Sequence, residues 1–230
     1  MFKQESLKEL EEKIGYVFKK KELLKQALTH SSFSNEQKIN KFENYERLEF
    51  LGDAVLELLS SQFFFENYPE MSEGEMTRLR SSMVCEPALA FCARDISLGQ
   101  YILLGKGEES TGGRQRDSIT SDVMEAVIGA IYLDGGFEQA DRFVKKYILS
   151  DLEDKQLFYD SKTILQEKVQ KLGKSLVYVI VDESGPEHNK MFTVEARVDG
   201  KTLGKGQGRN RKSAEQKAAY QVLLNKILEE

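Results

Sequence analysis

NYERLEFLGDAVLELL, residues 44–59, is the stretch that decides how this chain is organised. At ~100° per residue, Leu48, Leu51, Val55, Leu58 and Leu59 gather on one side of a helix, and Glu46, Glu49 and Asp53 fall roughly opposite. The leucine and valine stripe predicts a core-facing surface. The acidic side is harder to explain. Glu46–Glu49 and Glu49–Asp53 are like-charge pairs at i,i+3 and i,i+4, each mildly destabilising. Phe50 and Leu56 border them, where an ordinary solvated face would mix lysine with glutamate.

A second constellation lies in SDVMEAVIGAIYLD, residues 121–134. Asp122 and Glu125 stand one turn apart on a helix that is otherwise apolar all round, and such a helix is buried. The positive end of the helix dipole accounts for Asp122. It does not account for Glu125, because a buried unpaired carboxylate either costs stability or takes up a proton. The chain holds two histidines, His30 and His188, and two cysteines, Cys85 and Cys92, which are too few and too scattered for a zinc site. A hard cation held by oxygen is the natural partner, and Mg²⁺ prefers a few carboxylates with retained waters and phosphate oxygens. If the two helices cross with these faces together, four or five carboxylates converge. That is the ligand set of a one- or two-metal phosphodiester hydrolase.

The 230 residues suffice for one large or two modest domains, and 40% hydrophobic with 31% charged residues describe a globular chain. The polar N-terminus lacks a signal-peptide core and no apolar run reaches the ~18 residues of a membrane span, so a soluble cytoplasmic protein is expected. The two cysteines read as reduced core residues. The net charge of −5 conceals an asymmetry: residues 160–230 hold 13 Lys+Arg against 10 Asp+Glu, and residues 1–159 hold 20 against 28. An acidic body thus precedes a basic tail.

Residues 1–150 are predicted to be helical, in LKELEEKIGYVF, KKELLKQALTHSSF, the opening stretch, EGEMTRLRSSMVCEPALAFCARD, SDVMEAVIGAIYLDGG and FEQADRFVKKYI. Ser72 and Glu75 form a capping box, and KGEESTGGRQRD reads as a polar loop. Residues 151–159 are charged and aperiodic, as a linker would be. From residue 160 the texture changes to α-β-β-β-α: TILQEKVQKLG stops at Gly173, three alternating stretches follow with a tight Asp199–Gly200 turn, and RKSAEQKAAYQVLLNKIL closes the chain.

ERLEFLGDAVL (46–56), ALTHSSF (27–33), EGEMTRLRSSMV (73–84) and DVMEAVIGAIYLDGG (122–136) closely resemble bacterial ribonuclease III, and residues 160–227 resemble its double-stranded-RNA-binding domain. The resemblance implies an all-α nuclease domain over 1–150 and an α+β RNA-binding domain over 160–230. It implies a homodimer that cuts double-stranded RNA with Mg²⁺, with Mn²⁺ as a substitute and no organic cofactor or membrane, leaving 5′-phosphate and 3′-hydroxyl ends. Precursors of ribosomal RNA and some messenger and transfer transcripts are the substrates it suggests. By resemblance Glu49, Asp122 and Glu125 are Mg²⁺ ligands, Asp53 and Glu125 are catalytic, and Glu46 and Glu73 are accessory acids. The sequence departs from the family pattern where Asn44–Tyr45 precede Glu46 in place of a directly preceding Asn, and where Thr120–Ser121 stand before Asp122. Phe50 resembles an apolar contact made to the partner subunit, and reads equally as core.

In the tail, five basic residues and no acid lie between Asp199 and Glu215. Arg211 and Lys212 open the last helix, whose N-terminal N–H groups favour phosphate. Such domains read A-form shape across two minor grooves and the phosphates between them. The resemblance places Gln166, Glu167 and His188 toward 2′-hydroxyls, and Arg211, Lys212 and Lys217 toward phosphates. Gln166 and Glu167 read alternatively as plain surface. Glu215 stands where many such domains have lysine, which predicts modest affinity. Two readings of other classes remain beside the nuclease: a double-stranded-RNA-binding regulator that does not cut, and a metal phosphohydrolase of small substrates.

Overall fold

The computed structural model describes residues 4–38, 40, 43–150, 161–185, 190–208 and 210–225. The chain divides into two compact units, Met1–Ser150 and Asp151–Glu230. The expected linker at 151–159 lies outside the described residues.

The first unit is helical. Helix α1 (Gln4–Ile14) ends at Gly15, whose φ of +70° suits glycine. KKELLKQALTHSSF forms two helices where one was predicted, α2 (Lys21–Ala27) and α3 (Ser31–Glu36). The break at Leu28–His30 has a cause. His30 N–H donates to the Leu103 carbonyl at 3.0 Å, and Leu103 N–H donates to that of Leu28 at 2.8 Å, so this segment pairs with a distant one. The opening stretch is helix α4 (Glu46–Asn67).

The predicted continuous helix after it is likewise two, α5 (Glu73–Met83) and α6 (Glu86–Asp95). Pro87 sits in the first turn of α6, where it has no N–H to lose and disfavours helix before it. The Ser72–Glu75 capping box forms as expected. KGEESTGGRQRD is more ordered than a loop, with a short helix α7 (Lys106–Ser110) tied back by Arg116–Glu108 and Arg114–Glu109 ion pairs. Helices α8 (Asp117–Gly135) and α9 (Phe137–Tyr147) complete the unit.

Helices α4 and α8 form the most extensively packed helix pair in the unit. From Ile119 to Ile131 every residue of α8 is buried except Asp122 and Glu125. On α4 the buried side is Leu48, Gly52, Val55, Leu56 and Leu59. Leu58 was expected in that stripe and Leu56 at its border. The structure exchanges them: Leu56 is buried and Leu58 is 57% exposed. The stripe is centred on the α8 contact, and Leu58 falls with Phe50 and Phe65 on a different side.

The second unit is the expected α-β-β-β-α arrangement. Helix α10 (Ser161–Lys171) is followed by Gly173 at φ +67°, then by strands β1 (Leu176–Ser184), β2 (Met191–Val198) and β3 (Lys201–Gly208), and by helix α11 (Arg211–Leu224). The strands pair antiparallel in the order β1-β2-β3. Asp199 and Gly200 both have positive φ, 49° and 79°, the geometry of a two-residue hairpin that matches strand twist. Gly204 and Gly206 on β3 lie against the backbone of α11 around Ala218, so the helix packs directly onto the sheet. Leu165, Val169, Val194, Ala196 and Val222 are among the residues of this core.

Candidate active site

The crossing of α4 and α8 is made possible by two glycines. A β-carbon on Gly52 would lie 2.6 Å from the Glu125 carbonyl carbon and would overlap its oxygen, and one on Gly129 would overlap the Leu48 carbonyl. Side chains at either position would hold the backbones apart. With glycine at both, residues flanking the contact are brought close: Glu49 and Asp53 from α4, Asp122 and Glu125 from α8. Neither glycine was singled out from sequence. The signal was present, since glycine inside a helix costs about 1 kcal/mol relative to alanine and calls for a packing reason.

The electrostatics register the convergence. Burial, then the charges of Asp53, Glu49 and Asp122, push the Glu125 carboxyl up to about 8. Burial, then Asp122, Glu46 and Asp53, push Glu49 up to about 7. Asp122 is also raised, chiefly by burial, against the opposing hydrogen bonds of Tyr45 and Ser121. Asp53 and Glu46 are exposed, and Glu46 acts on the cluster from its edge through Glu49. Glu73 opens α5, where its carboxylate accepts from Thr77 Oγ1 at 3.0 Å, and no contact among the described residues brings it into the group.

Tyr45 is a member of this site that sequence reasoning passed over except as a departure from pattern. It is 5% exposed, its hydroxyl donates to Asp122 Oδ2 at 3.2 Å, and its ring lies 5.6 Å from that of His30. Burial, then Asp122 and Glu49, raise the phenol so that it stays protonated. His30 is turned toward its own helix, its Nδ1 accepting from Ser32 N–H at 3.1 Å, and burial lowers its affinity for a proton.

The donors fit a hard divalent cation. They are oxygens from half-buried carboxylates that repel one another, and a bound cation would relieve that repulsion. As they lie, no three His, Cys, Asp or Glu side chains among the described residues are grouped closely enough to hold an ion, so the fit is one of donor chemistry and charge. Phe50, beside the acidic side, is 81% exposed and is therefore not part of its own unit's core.

In the second unit Gln166, Glu167, Lys212 and Lys217 are exposed. His188 lies outside the described residues. Arg211 is exposed and its Nε donates to Glu215 Oε1 at 2.7 Å, while Lys162 Nζ donates to Glu215 Oε2 at 2.5 Å. Glu215 is 7% exposed. Burial raises its carboxyl, and the hydrogen bonds from Lys162 and Arg211 outweigh that and hold it below the usual range. Its role is to tie α10 to α11, with its charge neutralised from both sides.

Comparison with known proteins bears on both units. The family profile described as Ribonuclease-III-like matches residues 20–152, and that of the double-stranded RNA binding motif matches residues 161–226. Ribonuclease 3 of Bacillus velezensis is 50% identical over 224 residues, covering 96% of this chain and 90% of that one. Ribonuclease 3 of Listeria monocytogenes is 47% identical over 223 residues, covering 96% and 97%. A crystal structure of the nuclease domain of the Campylobacter jejuni enzyme superposes with a TM-score of 0.57 at 43% identity, covering 61% of this chain and 92% of that one. The two matching profiles, with relatives 47–50% identical over 96% of the chain, place it in the ribonuclease III family of endoribonucleases.

Proposed function

We propose that this protein cuts double-stranded RNA by metal-assisted hydrolysis of the phosphodiester, leaving 5′-phosphate and 3′-hydroxyl ends. The observation that carries the reading is the pair of carboxyls, Glu49 and Glu125, pushed up to about 7 and 8 by burial and then by neighbours of like charge at the α4–α8 crossing. Such a cluster is unfavourable alone and favourable around a divalent cation. Mg²⁺ is the natural choice, and Mn²⁺ suits the same oxygen donors.

In this reading Glu49, Asp122 and Glu125 hold the cation, and Asp53 with Glu125 orients the attacking water. Glu46 and Glu73 serve as accessory acids. A bound cation supplies hydroxide from water and stabilises the leaving oxygen. The protein supplies everything else: a crossing angle fixed by backbone contact, carboxylates held on rigid helices, and low-dielectric walls that strengthen each charge.

The second unit delivers the duplex. Arg211, Lys212 and Lys217 meet phosphates, while Gln166, Glu167 and His188 meet the minor groove. The domains are taken as 1–150 and 160–230, joined by 151–159.

A homodimer with one site per subunit completes the account. Phe50, Leu58 and Phe65 form an exposed apolar side on α4, distinct from both its acidic and its core-facing sides. A second Campylobacter jejuni nuclease-domain structure, 42% identical with a TM-score of 0.57, is described as having a flexible region involved in dimer formation. No described helix is long and apolar enough to cross a membrane, and the cytoplasm, with precursors of ribosomal RNA and some messenger and transfer transcripts as substrates, is where the reading places this chain.

The test is incubation with a long RNA duplex and Mg²⁺, followed by analysis of product ends. Short duplexes with 5′-phosphates are expected. Tight binding with no cutting would instead favour a regulator, and no interaction would defeat the RNA reading altogether.

A further inference from the structure

We infer that Tyr45 is a positioning residue for the cation site, its hydroxyl fixing the orientation of the Asp122 carboxylate. This inference rests on the metal-site reading above.

The geometry supports it from several directions. Tyr45 is held firmly at the start of α4. Its N–H donates to the Thr29 carbonyl at 2.9 Å, and its own carbonyl accepts from Leu48 and Glu49 N–H at 2.8 and 2.9 Å. On one side of it, the Asn44 carbonyl accepts from Gln26 Nε2 at 3.1 Å; on the other, Glu46 N–H donates to Asn44 Oδ1 at 3.2 Å. The His30 ring packs beside the phenol at 5.6 Å. The hydroxyl therefore has little freedom, and it is directed at Asp122 Oδ2 at 3.2 Å.

Asp122 needs such a partner. Its charge acts on both Glu49 and Glu125, so like charges oppose a carboxylate turned toward them. Its other oxygen has a distant Ser121 hydroxyl at 3.5 Å. A neutral donor on Oδ2 holds the rotamer without adding a positive charge that would compete with the cation. Hydrogen bonds of this kind to ligating groups are worth roughly 10- to 100-fold in metal affinity. A phenol at position 45 also spans from α4 to α8, so the orientation of one helix's ligand is set by the other helix.

The test uses the full chain, stripped of metal, with Mn²⁺ titrated alone and binding read by calorimetry. Wild type, Tyr45→Phe and Asp122→Asn are compared at a temperature where circular dichroism shows each folded. Tyr45→Phe removes only the hydroxyl. We expect its Mn²⁺ affinity to fall roughly 10- to 100-fold. In the cleavage assay its cation midpoint should rise by the same factor, with the RNA KM unchanged and the rate restored at high Mn²⁺. Wild-type affinity in Tyr45→Phe overturns the role of Tyr45 while leaving the metal site standing. A rate that high Mn²⁺ does not restore also overturns it. If wild type binds no Mn²⁺, or Asp122→Asn binds it as wild type does, the metal-site reading fails and this inference with it.

Discussion

Glu125 concentrates the chemistry of the site in one side chain. Its carboxyl titrates near 8 in the folded chain against 4.5 ordinarily, raised by burial and then by Asp53, Glu49 and Asp122. Between those values the unfolded chain gives up a proton that the folded chain keeps. Stability of the cation-free protein therefore falls as pH rises from about 4.5 to about 8, and levels off above. Glu125→Gln removes this penalty. We predict a melting temperature a few degrees above wild type at pH 8 without divalent cation, with the difference vanishing near pH 4.5; a variant less stable than wild type at pH 8 would contradict the electrostatic account. Added Mg²⁺ should shift the order, stabilising wild type and leaving the variant nearly unmoved. The carboxylates themselves were legible in the sequence, because an acid on an all-apolar helix has no ordinary explanation. Tyr45 was not, because its importance lies in a hydrogen bond to a residue 77 positions away.

Among the elements, α4 serves three purposes on three sides. Leu48, Val55, Leu56 and Leu59 are buried on the core-facing side, Glu49 and Asp53 face the site, and Phe50, Leu58 and Phe65 face outward. Periodicity made the first two sides readable, but it could not tell Leu56 from Leu58 at the margin of the stripe. That distinction depends on where α8 lies, and the position of α8 depends on Gly52 and Gly129. Replacing Gly52 with alanine should cost ~3 kcal/mol, since the new methyl meets backbone that cannot rotate away. It should also weaken Mn²⁺ binding, because the acidic sides are moved apart. Thermal melts and titration check both outcomes, and a stable Gly52→Ala with unchanged affinity would mean that close backbone contact does not set the site. The divided helices were partly legible: Pro87 announces the start of α6, whereas the break between α2 and α3 follows from pairing with Leu103, which no local signal records.

At the scale of the whole molecule, an acidic helical unit and a basic α+β unit divide the labour of cutting and holding RNA. The change of texture near residue 160 was plain in the sequence, and so was the order of elements after it. The burial of Glu215 between Lys162 and Arg211 was not plain, for a charged side chain at the start of a helix reads as exposed until the neighbouring helix is in place. Assembly belongs to this scale too. Phe50→Asp should sediment as a monomer at concentrations where wild type is dimeric, and an unchanged dimer would remove α4's outer side from the interface. In the proposed function the α4–α8 carboxylates do the cutting and the second unit supplies much of the binding. Wild type and Glu125→Gln on one long RNA duplex in Mg²⁺, with binding and cleavage read in the same samples, separate the two roles. Both proteins should bind with similar affinity and only wild type should yield short duplexes; cleavage by Glu125→Gln at the wild-type rate would rule out the α4–α8 carboxylates as the cutting site.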